Sequence, residues 1–314
     1  IWIANSSETS PVLAPFVYGT LERLLLPFGL HHMLTIPMNY TSFGGTYTIA
    51  TGVNAGSQVF GQDPLWLAWA NDLINFKKAG DMVAYNEAAE LAERGFLTSS
   101  CCPAFVSYIR KSFPELQENI SHNMSPMATI ANRIKEKDPE AKTVFIGPCT
   151  AKKGEFQLPE VHKYVDCVLT FEELQAMFDS RELDVAGMEE TVLNNASGYG
   201  RIFAHCGGLA AAAAEALKEQ GIDFELKPLS CNGIEECKLA LMKAARGKLD
   251  ANFVEGMACV GGCVNGAGCM THNERNRVKV DAHSQQAQLK SITDSLLYAA
   301  EIDRELKEKA GDKA

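Results

Sequence analysis

Two cysteines in a glycine-rich loop constrain this chain more than any other feature of its sequence. The stretch reads Glu255-Gly-Met-Ala-Cys259-Val-Gly-Gly-Cys263-Val-Asn-Gly-Ala-Gly268. Glycine leaves the backbone beside both thiols unobstructed and adds no side chain that packs in a core. A buried cysteine can also act as a small hydrophobic residue, but a run of glycines gives that alternative little support. The loop is therefore typical of metal-cluster ligation.

Two further cysteine sites complete a possible four-thiolate set. They read Thr98-Ser-Ser-Cys-Cys-Pro103 and Gly147-Pro-Cys-Thr-Ala-Lys-Lys153. With the glycine-rich loop they supply the four thiolates that an iron–sulfur cube requires. Because two adjacent side chains do not readily ligate one cube, either Cys101 or Cys102 is left for another task. Beside a cationic or metal centre, such a thiol is expected to have a lowered pKa and to carry protons.

The composition argues against several classes of protein. A chain of 314 residues, 46% of them hydrophobic, can bury a large core in one large domain or two lobes. A net charge of −10 without a run of Lys and Arg argues against nucleic acid and anionic membranes as partners. The sequence contains no run of roughly 20 apolar residues that would span a membrane, and no signal peptide. We therefore expect a cytoplasmic protein whose ten cysteines are metal-binding, catalytic or buried thiols.

The order of apolar segments predicts an α/β fold, with mainly parallel sheets flanked by helices. Strands are predicted over residues 143–147, 163–170, 201–205 and 251–254. Helices are predicted over residues 171–178, 209–220, 234–245 and 285–309. Cys149, Cys206 and Cys259 each follow a predicted strand, and ligands in such sheets bind beyond the carboxyl ends of strands. In the first 80 residues, the sequence predicts a helix over 21–26 and an extended segment over 47–50.

The three cysteine sites resemble the signatures of the iron-only ([FeFe]) hydrogenase catalytic domain. That family's motifs look like Thr-Ser-Cys-Cys-Pro, Pro-Cys-x-x-Lys-Lys-x-Glu and Glu-x-Met-Ala-Cys-x-x-Gly-Cys-x-x-Gly. Here they read Ser99-Ser-Cys-Cys-Pro103, Pro148-Cys-Thr-Ala-Lys-Lys-Gly-Glu155 and the loop from Glu255 to Gly266. Their order and approximate separations also agree, so the resemblance covers residues 81–268.

The resemblance implies an H-cluster, with four of the cysteines as its ligands. Cys102, Cys149, Cys259 and Cys263 would bind the [4Fe–4S] part. The Cys263 sulfur would also bridge to a diiron subcluster that carries CO, CN⁻ and a dithiolate. The fold that the resemblance implies has two lobes of mainly parallel sheet, with the cluster between them.

Other residues match the surroundings of that cluster. Lys152 matches the lysine that hydrogen-bonds a cyanide ligand. Pro126, Phe203 and Met257 match apolar residues around the diiron site. On any other view, these three are ordinary packing or turn residues.

The resemblance also implies a route for protons. Cys101 matches the family's proton-relay thiol, and Glu87, Glu90, Arg94 and Ser121 match the path from that thiol to solvent. The two glutamates and the arginine lie three and four residues apart, which places them on one helical face. Without the family context, a solvated charged face is the alternative interpretation.

Some positions depart from the familiar pattern. Gly147 stands where many members have Met, and Met127 stands where Gln is common. Ala267-Gly268-Cys269 replaces a glycine run that ends in Gln-Pro. In these positions the chain resembles a divergent subgroup of the family called group B. Cys269 is interpreted either as a thiol beside the ligand loop or as a buried residue.

The function implied is reversible H2 oxidation and proton reduction, with H2 and protons as substrates. Electrons would be exchanged with ferredoxin or a similar carrier, and maturation proteins would insert the diiron unit. The alternatives are a hydrogen sensor and a hydrogenase-like iron–sulfur assembly factor without diiron. We expect residues 1–80 to be a poorly matched N-terminal part of the catalytic domain, 81–282 the cluster-binding core, and 283–314 a C-terminal helix.

Overall fold

The chain divides into two compact units in a computed structural model. The structure describes residues 13–25, 27, 30, 36–37, 41–42, 46–48, 57–61, 79–187, 196–273 and 275–296. One unit comprises Ile1–Phe76 with Ala300–Ala314, and the other comprises Lys77–Ala299. All three cysteine sites belong to the second unit.

The described residues of the first unit include a helix and a pair of antiparallel strands. Helix α1 spans Leu13–Leu25, so the predicted helix is confirmed and begins earlier than the sequence indicates. Strand β1 (Thr46–Thr48) pairs antiparallel with β2 (Gln58–Phe60). The predicted extended segment overlaps β1, and its residues 49–50 lie outside the described residues.

The second unit alternates helices and short strands. Its helices are α2 (Ala79–Arg94), α3 (Pro103–Ser112), α4 (Pro126–Lys137), α5 (Lys152–Glu155), α6 (Pro159–His162), α7 (Phe171–Ser180), α8 (Gly198–Arg201), α9 (Gly208–Glu219), α10 (Ile234–Ala245) and α11 (Arg275–Gln285). Its strands are β3 (Leu97–Thr98), β4 (Val144–Ile146), β5 (Cys167–Leu169), β6 (Pro228–Asn232) and β7 (Phe253–Met257). Short 3₁₀ helices cover Pro114–Asn119, Val185–Gly187, Ile202–Ala204 and Cys263–Asn265.

Two parallel sheets form the framework of this unit. In the first sheet, β7 lies between β3 and β6, with Leu97 opposite Phe253 and Leu229 opposite Val254. In the second sheet, β4 pairs with β5. Strand β7 is buried along its whole length, as expected for the central strand of a covered parallel sheet. Parallel sheets flanked by helices confirm the predicted fold class.

Small side chains allow α2 and α9 to pack closely. Ala84 and Ala88 of α2 share one buried cluster with Ala212 and Ala216 of α9. Alanines four residues apart form a smooth stripe, so the helix axes can approach. This packing matters for the site, because α2 carries the predicted carboxylates of the proton path.

The predicted strand over residues 201–205 is wrong. Those residues continue from α8 into the 3₁₀ helix Ile202–Ala204. Ser197 caps this segment by accepting a hydrogen bond from the Gly200 N–H at 3.1 Å. The cap favours a helical backbone in this segment, although its run of apolar residues has the composition of a strand.

The predicted final helix begins later than expected. Helix α11 ends at Gln285, and the next described helical residues are 292–296. The carboxylate of Glu219 accepts the N–H groups of Ile292 at 2.9 Å and Thr293 at 2.7 Å, which fixes the helix start there. The remainder of the prediction, residues 297–309, lies outside the described residues. No helix in the described ranges is both long and apolar enough to cross a membrane.

Candidate metal centre and proton path

The loop after β7 presents Cys259 and Cys263 on a tightly held backbone. Gly262 has φ +90°, and a Cβ added there would lie 2.7 Å from the backbone nitrogen of Cys206. His205 pairs with Gly262 through an isolated antiparallel bridge. Both the left-handed backbone and the close approach therefore require glycine at this position.

The same loop packs against the backbone that carries Cys149. A Cβ on Gly266 would lie 2.4 Å from the carbonyl oxygen of Pro148. The N–H of Gly268 donates to that oxygen at 2.8 Å. The glycines thus let two cysteine loops that are distant in sequence meet backbone to backbone.

Cys102 is fixed beside the central strand by the start of α3. It is buried and stands at the N-cap of α3. The ring of Phe105, one turn further along α3, packs directly on Gly256. A Cβ added to Gly256 would lie 2.3 Å from that ring. Ser99 adds a hydrogen bond from the Gly256 N–H at 3.1 Å. The third cysteine site is therefore attached directly to β7.

The four thiols predicted as cluster ligands lie within electrostatic reach of one another. Burial, followed by the charges of Cys102 and Cys149, raises the pKa of Cys263 to about 12. Burial, followed by Cys149 and Cys102, also raises the pKa of Cys259. Ionising one of these thiols thus opposes ionising the others unless a positive charge lies among them.

This donor set fits an iron–sulfur cluster. A bound metal centre supplies the positive charge that lets buried thiols lose their protons, and four thiolates are the number a cube requires. No three His, Cys, Asp or Glu side chains among the described residues are grouped closely enough to bind a single ion. A four-iron cluster places each thiolate on a different iron, so its ligands need not converge on one point.

Cys101, the predicted proton-relay thiol, lies in a largely apolar environment. It is half-buried and packs against the core of Leu91, Leu97 and Phe253. Burial and then the charge of Glu87 raise its pKa well above the ordinary value. The surrounding protein groups therefore favour the protonated thiol, and the lowering expected beside a metal centre stays a prediction.

Two carboxylates meet at one hydroxyl beside Cys101. The Ser121 Oγ lies 2.7 Å from Glu87 Oε2 and 2.9 Å from Glu90 Oε2. The Asn123 amide contacts the same two oxygens at 3.2 and 3.0 Å. The other oxygen of Glu87, Oε1, is buried and has no hydrogen-bond partner among the described residues.

The two carboxylates have opposite pKa shifts. Burial raises the pKa of Glu87 to about 7, with Ser121 opposing the shift and the charge of Glu90 adding to it. Burial also acts to raise the pKa of Glu90, but hydrogen bonds from the His122 N–H, Arg94 and Ser121 outweigh it, so the pKa is lowered. At neutral pH one carboxyl can therefore hold a proton beside one that stays ionised, the arrangement that acid–base sites use.

Arg94 stands at the outer end of this group. Its Nη1 lies 2.9 Å from Glu90 Oε1, and its Nη2 donates to the carbonyl oxygen of Glu118. The guanidinium is 25% exposed, whereas Glu87 is fully buried. The contacts of Glu87, Ser121, Glu90 and Arg94 therefore run from the interior toward the surface.

Lys152 forms a buried ion pair that the sequence indicates only indirectly. Its Nζ lies 2.6 Å from Glu155 Oε2, and both side chains are about 10% exposed or less. It also donates to the carbonyl oxygen of Cys101 at 3.4 Å. The charge of Lys152 lowers the pKa of both Cys101 and Cys263, against the larger effect of burial. Glu155 ends the second cysteine motif but was not predicted as a site residue.

The predicted apolar residues occupy ordinary packing positions. Met257 is buried at the end of β7, and Phe203 packs against the cores that contain Leu91 and Ala84. Pro126 is the first residue of α4 and is half-buried. Their roles around a diiron site stay predictions.

The departures from the family pattern have local causes. A Cβ on Gly147 would lie 2.7 Å from the ring of Phe145, so a larger residue would displace that ring. Met127 is buried in the core with Val161 and Val168. The Sγ of Cys269 donates to the carbonyl oxygen of Val264 at 3.2 Å, so this buried thiol also holds the ligand loop.

Glu255 is a buried charge that sequence reasoning missed. Its carboxylate accepts the N–H groups of Gly207 at 3.0 Å and Ala210 at 3.1 Å, and the Ser230 hydroxyl at 3.0 Å. It therefore caps the start of α9 from the central strand. An acidic residue inside a buried apolar strand is the signal that could have identified it.

Comparison with known proteins places this unit in a family. The family model "Iron only hydrogenase large subunit, C-terminal domain" matches residues 69–267. Iron hydrogenase 1 of Clostridium pasteurianum is 27% identical over 83% of this chain and 52% of its own length. The cytosolic Fe-S cluster assembly factor NAR1 of Kluyveromyces lactis is 39% identical over 29% of this chain and 19% of its own.

A different relative matches a shorter segment. The PTS system glucose-specific EIICBA component of Streptococcus pneumoniae is 79% identical over 77 residues, which are 24% of this chain and 11% of that protein. Among solved structures, the apo [FeFe]-hydrogenase HydA1 from Chlamydomonas reinhardtii aligns with a TM-score of 0.53 and 20% identity, over 68% of this chain and 75% of that chain. The chain spans about half the length of the iron hydrogenase it matches. With more than half of its residues matched by the family model, this chain belongs to the iron-only hydrogenase large subunit family, through its C-terminal domain.

Proposed function

We propose that this chain catalyses the reversible conversion of H2 into two protons and two electrons at an H-cluster. The bound cluster supplies the chemistry on H2 and accepts or donates the electrons. Cys102, Cys149, Cys259 and Cys263 would hold it, with Cys263 serving both the cubane and the diiron part. An electron carrier of the ferredoxin class and maturation proteins that insert the diiron unit are the partners that this activity requires.

The observation that carries the proposal is the chain of proton-bearing groups beside the thiols. Ser121 has one hydroxyl proton but lies within hydrogen-bond distance of two carboxylates. When Glu87 is protonated, it donates to Ser121, and Ser121 donates to Glu90. A single shift of protons along these bonds moves one proton from the buried carboxyl to the outer one.

Cys101 supplies the inner end of this path. The charge of Glu87 raises its pKa, which indicates that the two groups are close. The buried Oε1 of Glu87 has no hydrogen-bond partner among the described residues, and we infer that it exchanges a proton with the thiol when the two side chains move into contact. A protein that only stores or delivers an iron–sulfur cube has no need for such a path.

Lys152 and the apolar residues complete the proposed pocket. The Lys152 ammonium provides a buried positive charge beside Cys263, and its partner Glu155 holds it in place. Met257, Phe203 and Pro126 would keep water away from the diiron part. Gly147 and Met127 stand where many family members have Met and Gln. These differences support the assignment of this chain to a divergent, group B-like part of the family.

The test is hydrogen evolution after anaerobic maturation of the full chain. With reduced viologen as donor, we expect the parent to release H2 and Cys263→Ser to release none. Cys167→Ser, a half-buried thiol on β5, is the matched control and should retain activity. Maturation of the parent to full iron content without H2 release would contradict the proposal.

The second candidate function is that of an iron–sulfur assembly factor, because the NAR1 protein is 39% identical to this chain over the aligned part. It predicts transfer of a [4Fe–4S] cluster to an acceptor protein that lacks its own cluster. Transfer by the purified chain, with no H2 release after maturation, would favour this function over the hydrogenase.

The 77-residue similarity to the sugar-transport component lies, we infer, at the start of the chain. The 47 residues that follow the family match are far too few to contain it, whereas the 68 residues that precede the match would need to overlap it by only nine residues. The first compact unit also ends at Phe76. The assignment of residues 1–80 to the catalytic domain stays a prediction, and this similarity supports a different origin for them.

A further inference from the structure

His122 connects the outer carboxylate to solvent by a route that does not pass through Arg94. It follows Ser121 directly, and its side chain is 74% exposed. Its Nδ1 lies 3.1 Å from Glu90 Oε1, and its backbone N–H also donates to the Glu90 carboxylate at 3.1 Å. The imidazole is thus held beside the carboxylate while the rest of its ring faces water.

The same nitrogen has a partner in both of its protonation states. Nδ1 lies 3.1 Å from the Glu90 carboxylate and 3.5 Å from Arg94 Nη1. When Nδ1 carries a proton it can donate to Glu90, and when it does not it can accept from Arg94. Neither state leaves Nδ1 without a hydrogen bond, so little reorganisation accompanies proton transfer.

A cavity of about 300 Å³, with both polar and apolar side chains in its lining, adjoins this histidine. His122 and Asn123 line it together with Asn86 of α2 and Asn132, Arg133 and Glu136 of α4. The cavity has room for several waters and enough polar groups to bind them. The charged groups facing His122 are therefore Glu90 and Arg94 on α2, and Arg133 and Glu136 across the cavity.

We propose that His122 exchanges protons between Glu90 and the water of this cavity. A proton from water binds Nε2 of the Nδ1-protonated ring, and the Nδ1 proton then passes to Glu90. The ring is left neutral with its proton on Nε2, and Nδ1 accepts from Arg94. The reverse sequence releases a proton. Histidine suits this task because its side chain ordinarily changes charge between pH 5 and 8. The biological purpose of this proton exchange rests on the proposed function, but the exchange itself can be measured without H2 turnover.

The test follows the protonation of Glu87 directly, in the full chain without added diiron. After a rapid pH jump, the infrared C=O band of the protonated carboxyl reports how fast protons reach it. In His122→Gln we expect this rate to fall about tenfold or more, with an unchanged final amplitude. Added imidazole should restore the rate. His162→Gln, another exposed histidine, should behave like the parent.

Hydrogen evolution by the matured chain provides the second measurement. His122→Gln should slow it and imidazole should rescue it, because a freely diffusing base can replace the missing side chain. An infrared rate that is unaffected by His122→Gln would overturn the inference, whatever the activity. A slowed, rescuable rate in a chain that evolves no H2 would instead support the role of His122 and contradict the proposed function.

Discussion

Replacing the buried Glu87 with Gln should make the protein more stable at high pH than at low pH, relative to the parent. The pKa of Glu87 is about 7 in the folded protein against an ordinary 4.5. The raised pKa means that folding favours the protonated carboxyl. The contribution of Glu87 to the free energy of unfolding is therefore complete below pH 4.5 and is lost as the pH rises through 7. A difference of about 2.5 units at about 1.4 kcal/mol per unit gives about 3 kcal/mol. Glutamine has the same shape and cannot ionise, so Glu87→Gln escapes this loss.

The assay is urea unfolding at matched iron content between pH 4.5 and 8.5. The free energy of unfolding of Glu87→Gln, minus that of the parent, should rise by about 3 kcal/mol across this range. Any constant difference from the new amide hydrogen bonds does not depend on pH. Glu93→Gln, an exposed carboxylate on the same helix, should give a flat difference. A flat difference for Glu87→Gln as well would refute the account of its burial.

Three further substitutions test other contacts. Ser121→Ala removes the hydroxyl between the carboxylates and should lower the rate of H2 evolution by about a hundredfold. The control Ser107→Ala, on the exposed face of α3, should leave the rate unchanged. Equal rates for the two variants would exclude Ser121 from the path. Glu155→Gln leaves the buried Lys152 ammonium without its partner and should cost about 3–5 kcal/mol in urea unfolding; a loss below about 1 kcal/mol would mean that water replaces the carboxylate. Gly266→Ala forces a Cβ to within 2.4 Å of a carbonyl oxygen and should lower the iron bound per chain; unchanged iron would show that the loops can separate.

The sequence predicted the elements whose signals are local. Helix α10 begins and ends where its apolar pattern predicts, because capping and spacing act over a few residues. The spacing of Glu87, Glu90 and Arg94 places them on one helical face, and the two glutamates share Ser121. Cys149, Cys206 and Cys259 are expected near one another because each follows a predicted strand; in the structure Cys149 follows β4 and Cys259 follows β7, which belong to different sheets, and Cys206 follows a 3₁₀ helix.

One error has a local cause and the other missed features depend on residues far apart in the chain. The strand predicted over residues 201–205 fails because Ser197 caps a helix there, and that preference outweighs apolar composition. The capping role of Glu255 is visible only when β7 and α9 are adjacent. The raised pKa of Cys101 likewise depends on burial and on Glu87, which the order of residues does not specify.

The central claim is that four thiols from three loops hold a cluster whose diiron part performs the chemistry. Infrared spectroscopy of the anaerobically matured chain tests it most directly, because iron-bound CO and CN⁻ absorb where protein does not. We predict bands of both ligands in the parent, and their loss in Cys263→Ser. A chain that contains four irons per molecule after maturation, but shows neither band, would contradict the claim.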